Sequence, residues 1–144
     1  MASGRELIRR YFSELLTSPG NLAVADEIFT ADVRFTNPVK VSGVNGIAEY
    51  KAFVTTWAVG FPDRHFAIDE TVIEADETRG AARFTITGTH SGEFMGALPT
   101  GNRVTVIGMN LFRFREGRIF HVEAFFDPLP LWRPLGVARR LIEG

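Results

Sequence analysis

The spacing of apolar residues changes once along the chain and divides it into a helical first part and a strand-rich second part. Up to about residue 62, apolar residues recur every three or four positions, as they do along one side of an amphipathic helix. From residue 63 onward they alternate with polar residues, which is typical of half-buried strands. The pattern predicts a helix that begins after Ser3 and ends at Pro19, then helices over 21–29 and 46–60, with a short strand over 33–37 between them.

The second part predicts four strands joined by short turns. Polar turn residues at 74–77 and a Glu-Gly pair at 116–117 separate them. The first predicted strand begins near Phe66, and the other three run from 81 to about 94, from 103 to 115 and from 118 to about 126. A helix interrupted by Pro134 follows over about 131–142. Helices followed by a strand meander predict an α+β domain, with helices on one face of a curved antiparallel sheet.

The central strand carries a histidine on its apolar side. His90 has the same parity as Phe84 and Ile86 in an alternating run, so its imidazole is expected to point inward. Such a histidine is either a core residue whose ring bonds the backbone of the glycine-containing turn that follows, or a proton-handling group in a pocket. The sequence leaves both possibilities open.

The next strand is apolar on both of its faces. Val106, Phe112 and Phe114 share one face with Asn110, while Ile107 and its neighbours Met109 and Leu111 occupy the other. An antiparallel sheet usually exposes one face to water. We therefore expect one face to cover a core or cavity and the other to meet a second copy of the chain in a homodimer.

Composition narrows the classes of function. The 144 residues predict a single domain over 1–144, and 13 phenylalanines within 45% hydrophobic residues indicate a deep core or a sizeable apolar cavity. With 16 basic and 17 acidic residues intermixed, the chain lacks the basic surface that nucleic acid requires. There is no cysteine, no signal peptide and no apolar run long enough for a membrane span, so a cytoplasmic protein is expected.

Motifs for cofactors are also missing. No glycine-rich phosphate loop or redox-cofactor fingerprint occurs, and the three histidines lack the spacing of metal ligands. We expect no cofactor, no metal and no nucleic-acid or membrane partner, and a small apolar molecule as the ligand.

The last strand supplies the candidate acid. Glu123 shares a predicted face with Ile119, His121 and Phe125. A glutamate among phenylalanines would stay protonated near neutral pH, because desolvation disfavours its charged form, and could donate a proton to a carbonyl or epoxide oxygen. His90 would be its partner or a base. The alternative is that Glu123 lies on the outer face and pairs with an arginine.

Further residues are candidates for contact with a substrate. Asn110 is a buried amide that must find a hydrogen bond, either to a neighbour or to a substrate oxygen. The remaining substrate-binding candidates are mostly aromatic or apolar and could equally be core residues: Asn37, Trp57, Phe61, Phe94, Leu98 and Phe125.

Several sequence strings resemble a known family. They are YFSELLTSPGNLAVADEIFTADVRFTNP, GFPD, GTHSGEF followed by a PTG triplet, FRFREGRI and DPLPLWRPLG. Together they resemble the SnoaL-like polyketide cyclases of the nuclear transport factor 2-like superfamily, over residues 6–136. The resemblance implies a cone-shaped, cystatin-like α+β barrel that encloses one apolar cavity and dimerises through the outer face of its sheet.

The resemblance also implies cofactor-free acid–base chemistry, such as ring closure by an aldol step or opening of an epoxide. Some cyclases of this family place an aspartate near Ala124, so the chain would lack that acid and Glu123 would take its place. We expect an acid–base enzyme of natural-product biosynthesis. The alternative is a binding module that uses the same cavity without chemistry. A hydrolase of the limonene-epoxide type ranks third. That type needs an Asp–Arg–Asp arrangement in its pocket, and Arg113 and Arg115 fall on the strand face opposite Asn110.

Overall fold

Helices and two strands share the first 60 residues, and four consecutive strands and a last helix follow. A computed structural model describes residues 2–37 and 42–136. Its helices are α1 (Gly4–Arg10), which continues as a π-helical segment (Tyr11–Leu16), α2 (Val24–Ile28), α3 (Gly46–Gly60) and α4 (Leu129–Leu135). Its strands are β1 (Phe29–Thr36), β2 (Val44–Asn45), β3 (His65–Ile73), β4 (Arg79–Thr89), β5 (Arg103–Arg115) and β6 (Arg118–Phe126).

The strands form one open, curved sheet in the order β2-β1-β6-β5-β4-β3. The meander from β3 to β6 is antiparallel throughout, as the sequence predicts, whereas β1 pairs with β6 in parallel. The predicted α+β class, with helices laid on a curved sheet, is confirmed. The predicted strand at 33–37 is the C-terminal half of the longer β1, which lies between β2 and β6 in the sheet.

Local signals explain where the elements begin and end. The side chain of Ser3 accepts a hydrogen bond from the backbone N–H of Glu6 at 3.2 Å, which caps α1 as the sequence predicts. The predicted turn between β5 and β6 has positive φ angles at both Glu116 and Gly117. Such a tight turn fixes the register of the two strands that it joins.

The core lies between the concave face of the sheet and the helices. Buried aromatic rings from both layers meet there, for example Phe12 of the π-helical segment against Phe84 of β4, with ring centroids 5.1 Å apart. Tyr11 packs edge-on against Phe112 of β5 at 5.2 Å. Aromatic pairs at these distances prefer this kind of offset or edge-to-face arrangement.

β4 is shorter than the sequence predicts. It ends at Thr89 rather than near Phe94, because residues after His90 turn to pack on the end of α3. The backbone N–H groups of Ser91 and Gly92 both donate to the carbonyl of Gly60, at 3.1 and 3.2 Å. A Cβ at Gly92 would lie 1.8 Å from the carbonyl oxygen of Val59, so only glycine allows this approach.

A β-bulge in β6 changes which residues share a face. Arg113 pairs with His121, but the next residue, Phe114, pairs with Ile119, so Phe120 is an extra residue. Ile119 therefore lies on the same face as Val122, and the predicted parity of this strand is wrong at its start.

The end of the predicted terminal helix, over residues 137–142, lies outside the described residues. Among the residues that the structure describes, no helix is both long and apolar enough to cross a membrane.

Candidate functional site

The concave face of the sheet and the helices leave a cavity of about 420 Å³ between them. This volume falls in the range of small-molecule sites in proteins, roughly 300–1,000 Å³. Residues from α3, the π-helical segment, β4–β6 and α4 all contribute to its wall.

The wall is largely aromatic. Ten of its 22 residues carry aromatic rings, which favours a flat, apolar ligand that can lie against ring faces. These aromatic residues are Tyr11, Phe12, Phe35, Phe53, Trp57, Phe66, Phe84, Phe94, Phe126 and Trp132.

The cavity opens beside the first half of α3. The exposed residues of its wall are Glu49, Ala52 and Thr56, one helical turn apart on α3, and Met95 across from them. Glu49 accepts a 3.4 Å hydrogen bond from the backbone N–H of Asn45. Among the wall residues that the structure describes, Glu49 is the one carboxylate, and none is His, Lys or Arg.

Two tyrosine hydroxyls meet at the deep end. Tyr11, on the wall, and Tyr50 of α3 lie with their hydroxyl oxygens 2.6 Å apart, so one donates to the other. Burial raises the pKa of Tyr11, although its hydrogen bond with Tyr50 acts in the opposite direction. Burial raises the pKa of Tyr50 well above its ordinary value, and Tyr11 adds to the effect. Both phenols are therefore neutral over the physiological pH range.

Asn110 brings an amide to the cavity wall from the middle of β5. Its side chain is only 3% exposed, and its Oδ1 atom has no hydrogen-bond partner. Its neighbours across the sheet are alanines on both sides, Ala82 on β4 and Ala124 on β6. The small neighbours leave space around the amide, so the structure places this predicted residue where a ligand could reach it.

The structure places Glu123 on the other face of the sheet. Its neighbour in sequence, Ala124, lines the cavity, and alternation along β6 turns the Glu123 side chain outward. There Arg113 donates to its carboxylate at 3.2 Å, and the Nδ1 atom of His121 lies 3.8 Å away. The expectation that Glu123 points into the cavity is wrong; the alternative of an outer-face arginine pair is what the geometry shows.

His90 is buried but does not line the cavity. Its Nδ1 atom lies 3.0 Å from the hydroxyl of Thr100 and accepts from the backbone N–H of the same residue at 3.3 Å. Its ring also packs on Phe61, with centroids 5.5 Å apart. His90 thus bonds the turn that follows β4, as in the structural alternative, and the expected pairing with Glu123 does not form.

The remaining substrate-binding candidates divide into two groups. Asn37, Trp57 and Phe94 line the cavity. Phe61 is buried behind it, against Trp57 and Phe94. Leu98 and Phe125 are exposed and do not line it: Leu98 lies in the turn after β4, and Phe125 follows Glu123 in facing outward from β6. The predicted placement of Phe61, Leu98 and Phe125 on the wall is wrong.

Sequence reasoning missed four wall residues with polar side-chain atoms: Tyr11, Glu49, Thr56 and Trp132. Tyr11 and Trp132 belong to apolar stripes that the sequence could not distinguish from plain core. Glu49 gave no local signal, since a charged residue in the first turn of a helix is ordinary. Only the packing of α3 against β1 brings Glu49 to the cavity.

The same residues give no obvious metal site. Within residues 2–37 and 42–136, no three His, Asp or Glu side chains come together as metal ligands.

Fold and cavity together define an α+β protein whose curved sheet and helices enclose one aromatic pocket. The sequence matches the SnoaL-like polyketide cyclases over residues 6–135, so the chain belongs to this family. Among curated proteins, none matches the chain significantly.

Solved structures share the architecture. A protein from Jannaschia sp. CCS1, provisionally named a SnoaL-like polyketide cyclase, is 25% identical with a TM-score of 0.83, covering 92% of this chain and 90% of its own. TsrD from Streptomyces laurentii is also 25% identical, with a TM-score of 0.78 and coverages of 92% and 94%. A phenazine biosynthesis-related protein from Pseudomonas aeruginosa is similar in fold at 15% identity, with a TM-score of 0.77 and coverages of 93% and 81%.

Proposed function

We propose that the protein binds a small, mostly apolar metabolite in the central cavity and catalyses a cyclase-type, cofactor-independent reaction on it. The observation that carries this proposal is the cavity of about 420 Å³ with its aromatic wall, in a member of the SnoaL-like polyketide cyclase family. The name of the Jannaschia protein, at 25% identity, points to the same biosynthetic role.

Glu49 is the group on the wall best suited to move a proton. In a ring closure of the aldol type, a base removes a proton from a carbon next to a carbonyl. The enolate carbon then bonds to a second carbonyl carbon, whose oxygen takes up a proton. A carboxylate within reach of the substrate can take the first proton and return it to that oxygen. Glu49 replaces Glu123 in this role because Glu123 lies outside the cavity.

A binding module without chemistry is the second candidate. It is favoured by one specific observation: the two residues that the sequence suggests for catalysis, Glu123 and His90, both lie away from the cavity wall. In this case the cavity would hold its ligand without turnover, and Glu49 would act only at the rim.

One experiment separates the candidates. Purified protein would be incubated with aryl diketones that can close a ring and with aryl epoxides, and products would be followed by mass spectrometry. For an enzyme, we expect Glu49→Gln to reduce turnover by about a hundredfold or more while binding persists. Glu123→Gln is the matched control and should leave turnover unchanged. Binding without turnover in the wild type, with no effect of Glu49→Gln, would establish the binding module instead.

We also propose that the chain forms a homodimer through the outer face of the sheet. Ile107 and Met109 of β5 and Phe125 of β6 expose about half of their surface there. Met109 and Phe125 are direct neighbours across the two strands, so the apolar residues form one patch. Contiguous apolar patches of this kind are typical of protein interfaces. Sedimentation of the wild type against Met109→Glu tests this proposal, since a charge at the centre of the patch would favour the monomer.

A further inference from the structure

One buried polar side-chain atom in the described part of the cavity wall makes no hydrogen bond within the protein. Oδ1 of Asn110 has no partner, although the residue is almost completely buried. A buried amide that lacks its hydrogen bonds is destabilising, and in native proteins such a group usually has a partner that binds it.

The other deep polar groups of the wall behave differently. The hydroxyl of Tyr11 is bonded to that of Tyr50 at 2.6 Å, so this pair needs nothing from a ligand. Asn110 stands between Ala82 and Ala124, and neither neighbour can offer its side chain a hydrogen bond. The unused hydrogen-bonding capacity at depth is therefore concentrated at Asn110.

The charge of the wall limits the ligand further. No Lys, Arg or His belongs to the part of the wall that the structure describes, and its carboxylate, Glu49, lies at the opening. An anionic group deep in the cavity would lose its hydration without gaining a positive partner, which is costly. The unpaired atom of Asn110 is an acceptor, so it suits a neutral ligand group that donates a hydrogen bond, such as a hydroxyl.

We propose that Asn110 anchors the ligand by accepting, at Oδ1, a hydrogen bond from an uncharged hydroxyl group on an otherwise flat, apolar molecule. This inference rests on the proposed function, because it names the class of ligand that the same cavity takes. The aromatic wall holds the body of the ligand, and Asn110 determines which end enters first. Ligands with a carboxylate at that end are rejected.

The test uses one ring system with different substituents, so that only the oxygen function changes. Naphthol offers a hydroxyl, acetylnaphthalene a carbonyl, naphthalene no oxygen, and naphthoate an anion. We expect the wild type to bind naphthol about tenfold more tightly than naphthalene or acetylnaphthalene, and naphthoate most weakly. Acetylnaphthalene is the control for the direction of the hydrogen bond, because its carbonyl cannot donate to Oδ1.

A spectroscopic measurement ties the preference to the residue. The side-chain amide NMR signal of Asn110, assigned by its loss in Asn110→Leu, should shift further with naphthol than with naphthalene, whose ring alone also shifts nearby signals. Asn110→Leu, which has nearly the same shape, should bind all neutral probes alike. If this variant does not fold, the probe series in the wild type still decides.

The outcomes separate this inference from the proposed function. Equal binding of naphthol and naphthalene, or tighter binding of acetylnaphthalene or naphthoate than of naphthol, would overturn the role of Asn110 while leaving the cavity as a binding site. Absence of binding by every probe would overturn both. A preference for naphthol in the wild type, whether or not turnover is found, supports Asn110 as the anchor.

Discussion

The two faces of β5 and β6 handle polar groups in opposite ways. On the outer face, Arg113 and Glu123 form an ion pair next to His121, all three of them partly exposed. On the inner face, the same strands place Asn110 beside Ala124 and Phe112, without a charge. A charge near water is solvated and can be paired at little cost, whereas a charge in an aromatic cavity would lose most of its hydration. In the part of the wall that the structure describes, the deep polar groups are therefore neutral, and the carboxylate lies at the rim.

The two faces should differ most in the stability that is lost when a phenylalanine is replaced by alanine. Phe112 is completely buried on the inner face, between Tyr11 and Phe12, so Phe112→Ala should cost about 3–5 kcal/mol of unfolding free energy. Phe125 on the outer face is 53% exposed, and Phe125→Ala should change the stability of a monomer by about 0.5 kcal/mol or less. Urea unfolding measures both.

Equal losses for these two substitutions would contradict the distinction between the faces. A loss for Phe125→Ala that appears together with dissociation in sedimentation would instead locate Phe125 in the proposed homodimer interface.

Substitutions in the tyrosine pair should have the next largest effect on stability. Tyr50→Phe leaves the buried hydroxyl of Tyr11 without its partner and should cost about 1–3 kcal/mol. Replacing both tyrosines by Phe should cost less than the sum of the two single substitutions, because no unpaired hydroxyl remains. Additive losses in urea unfolding would show that the hydroxyls do not depend on each other.

The same pair predicts a loss of stability in alkali. Because the pKa of both phenols is raised in the folded protein, above about pH 10 the unfolded chain releases protons that the folded chain keeps. The free energy of unfolding should therefore fall as the pH rises above 10. The chain has only these two tyrosines, so tyrosinate absorbance follows them directly, and the double Phe variant should lose this contribution.

Asn110→Leu should raise the stability of the protein rather than lower it. Removing a buried amide oxygen that lacks a partner, with little change in shape, should stabilise the ligand-free protein by about 1–2 kcal/mol. Thermal unfolding without ligand measures this gain. A destabilised Asn110→Leu that still folds would mean that the amide contributes hydrogen bonds to the fold rather than to a ligand.

The smallest effects belong to the outer-face ion pair. Glu123→Gln should change stability by at most about 1 kcal/mol, because the pair with Arg113 is partly exposed.

Burial lowers the pKa of His121, and Arg34 and Arg113 add to this effect while Glu123 opposes it. An NMR titration should place the pKa of His121 below the ordinary value of about 6.5. As the pH falls below about 6.5, the unfolded chain therefore binds a proton at this histidine before the folded chain does. The free energy of unfolding should decrease as a result.

Much of the fold could be predicted because it follows from local signals. The change from helical to alternating spacing, the Ser3 cap and the Glu116–Gly117 turn all act over a few residues, and the structure agrees with each of them. The parallel pairing of β1 with β6 could not be predicted, since these strands lie about ninety positions apart and no turn joins them.

The site was predicted only in part. Asn110, Trp57 and Phe94 reach the cavity as expected from their parity or their helical stripe. Parity alone does not say which of the two faces of β6 is the inner one, and the bulge at Phe120 shifts its phase. For this reason Glu123 and Phe125 were assigned to the wrong face.

The sequence by itself determined the α+β class, the order of helices and strands and the aromatic composition of the interior, because spacing and hydrophobicity act locally. The tertiary structure decided which face of each strand is covered, since that depends on where the helices pack. It turned Glu123 outward, left the imidazole of His90 bonded to Thr100, and brought Glu49 and Asn110 onto one cavity wall.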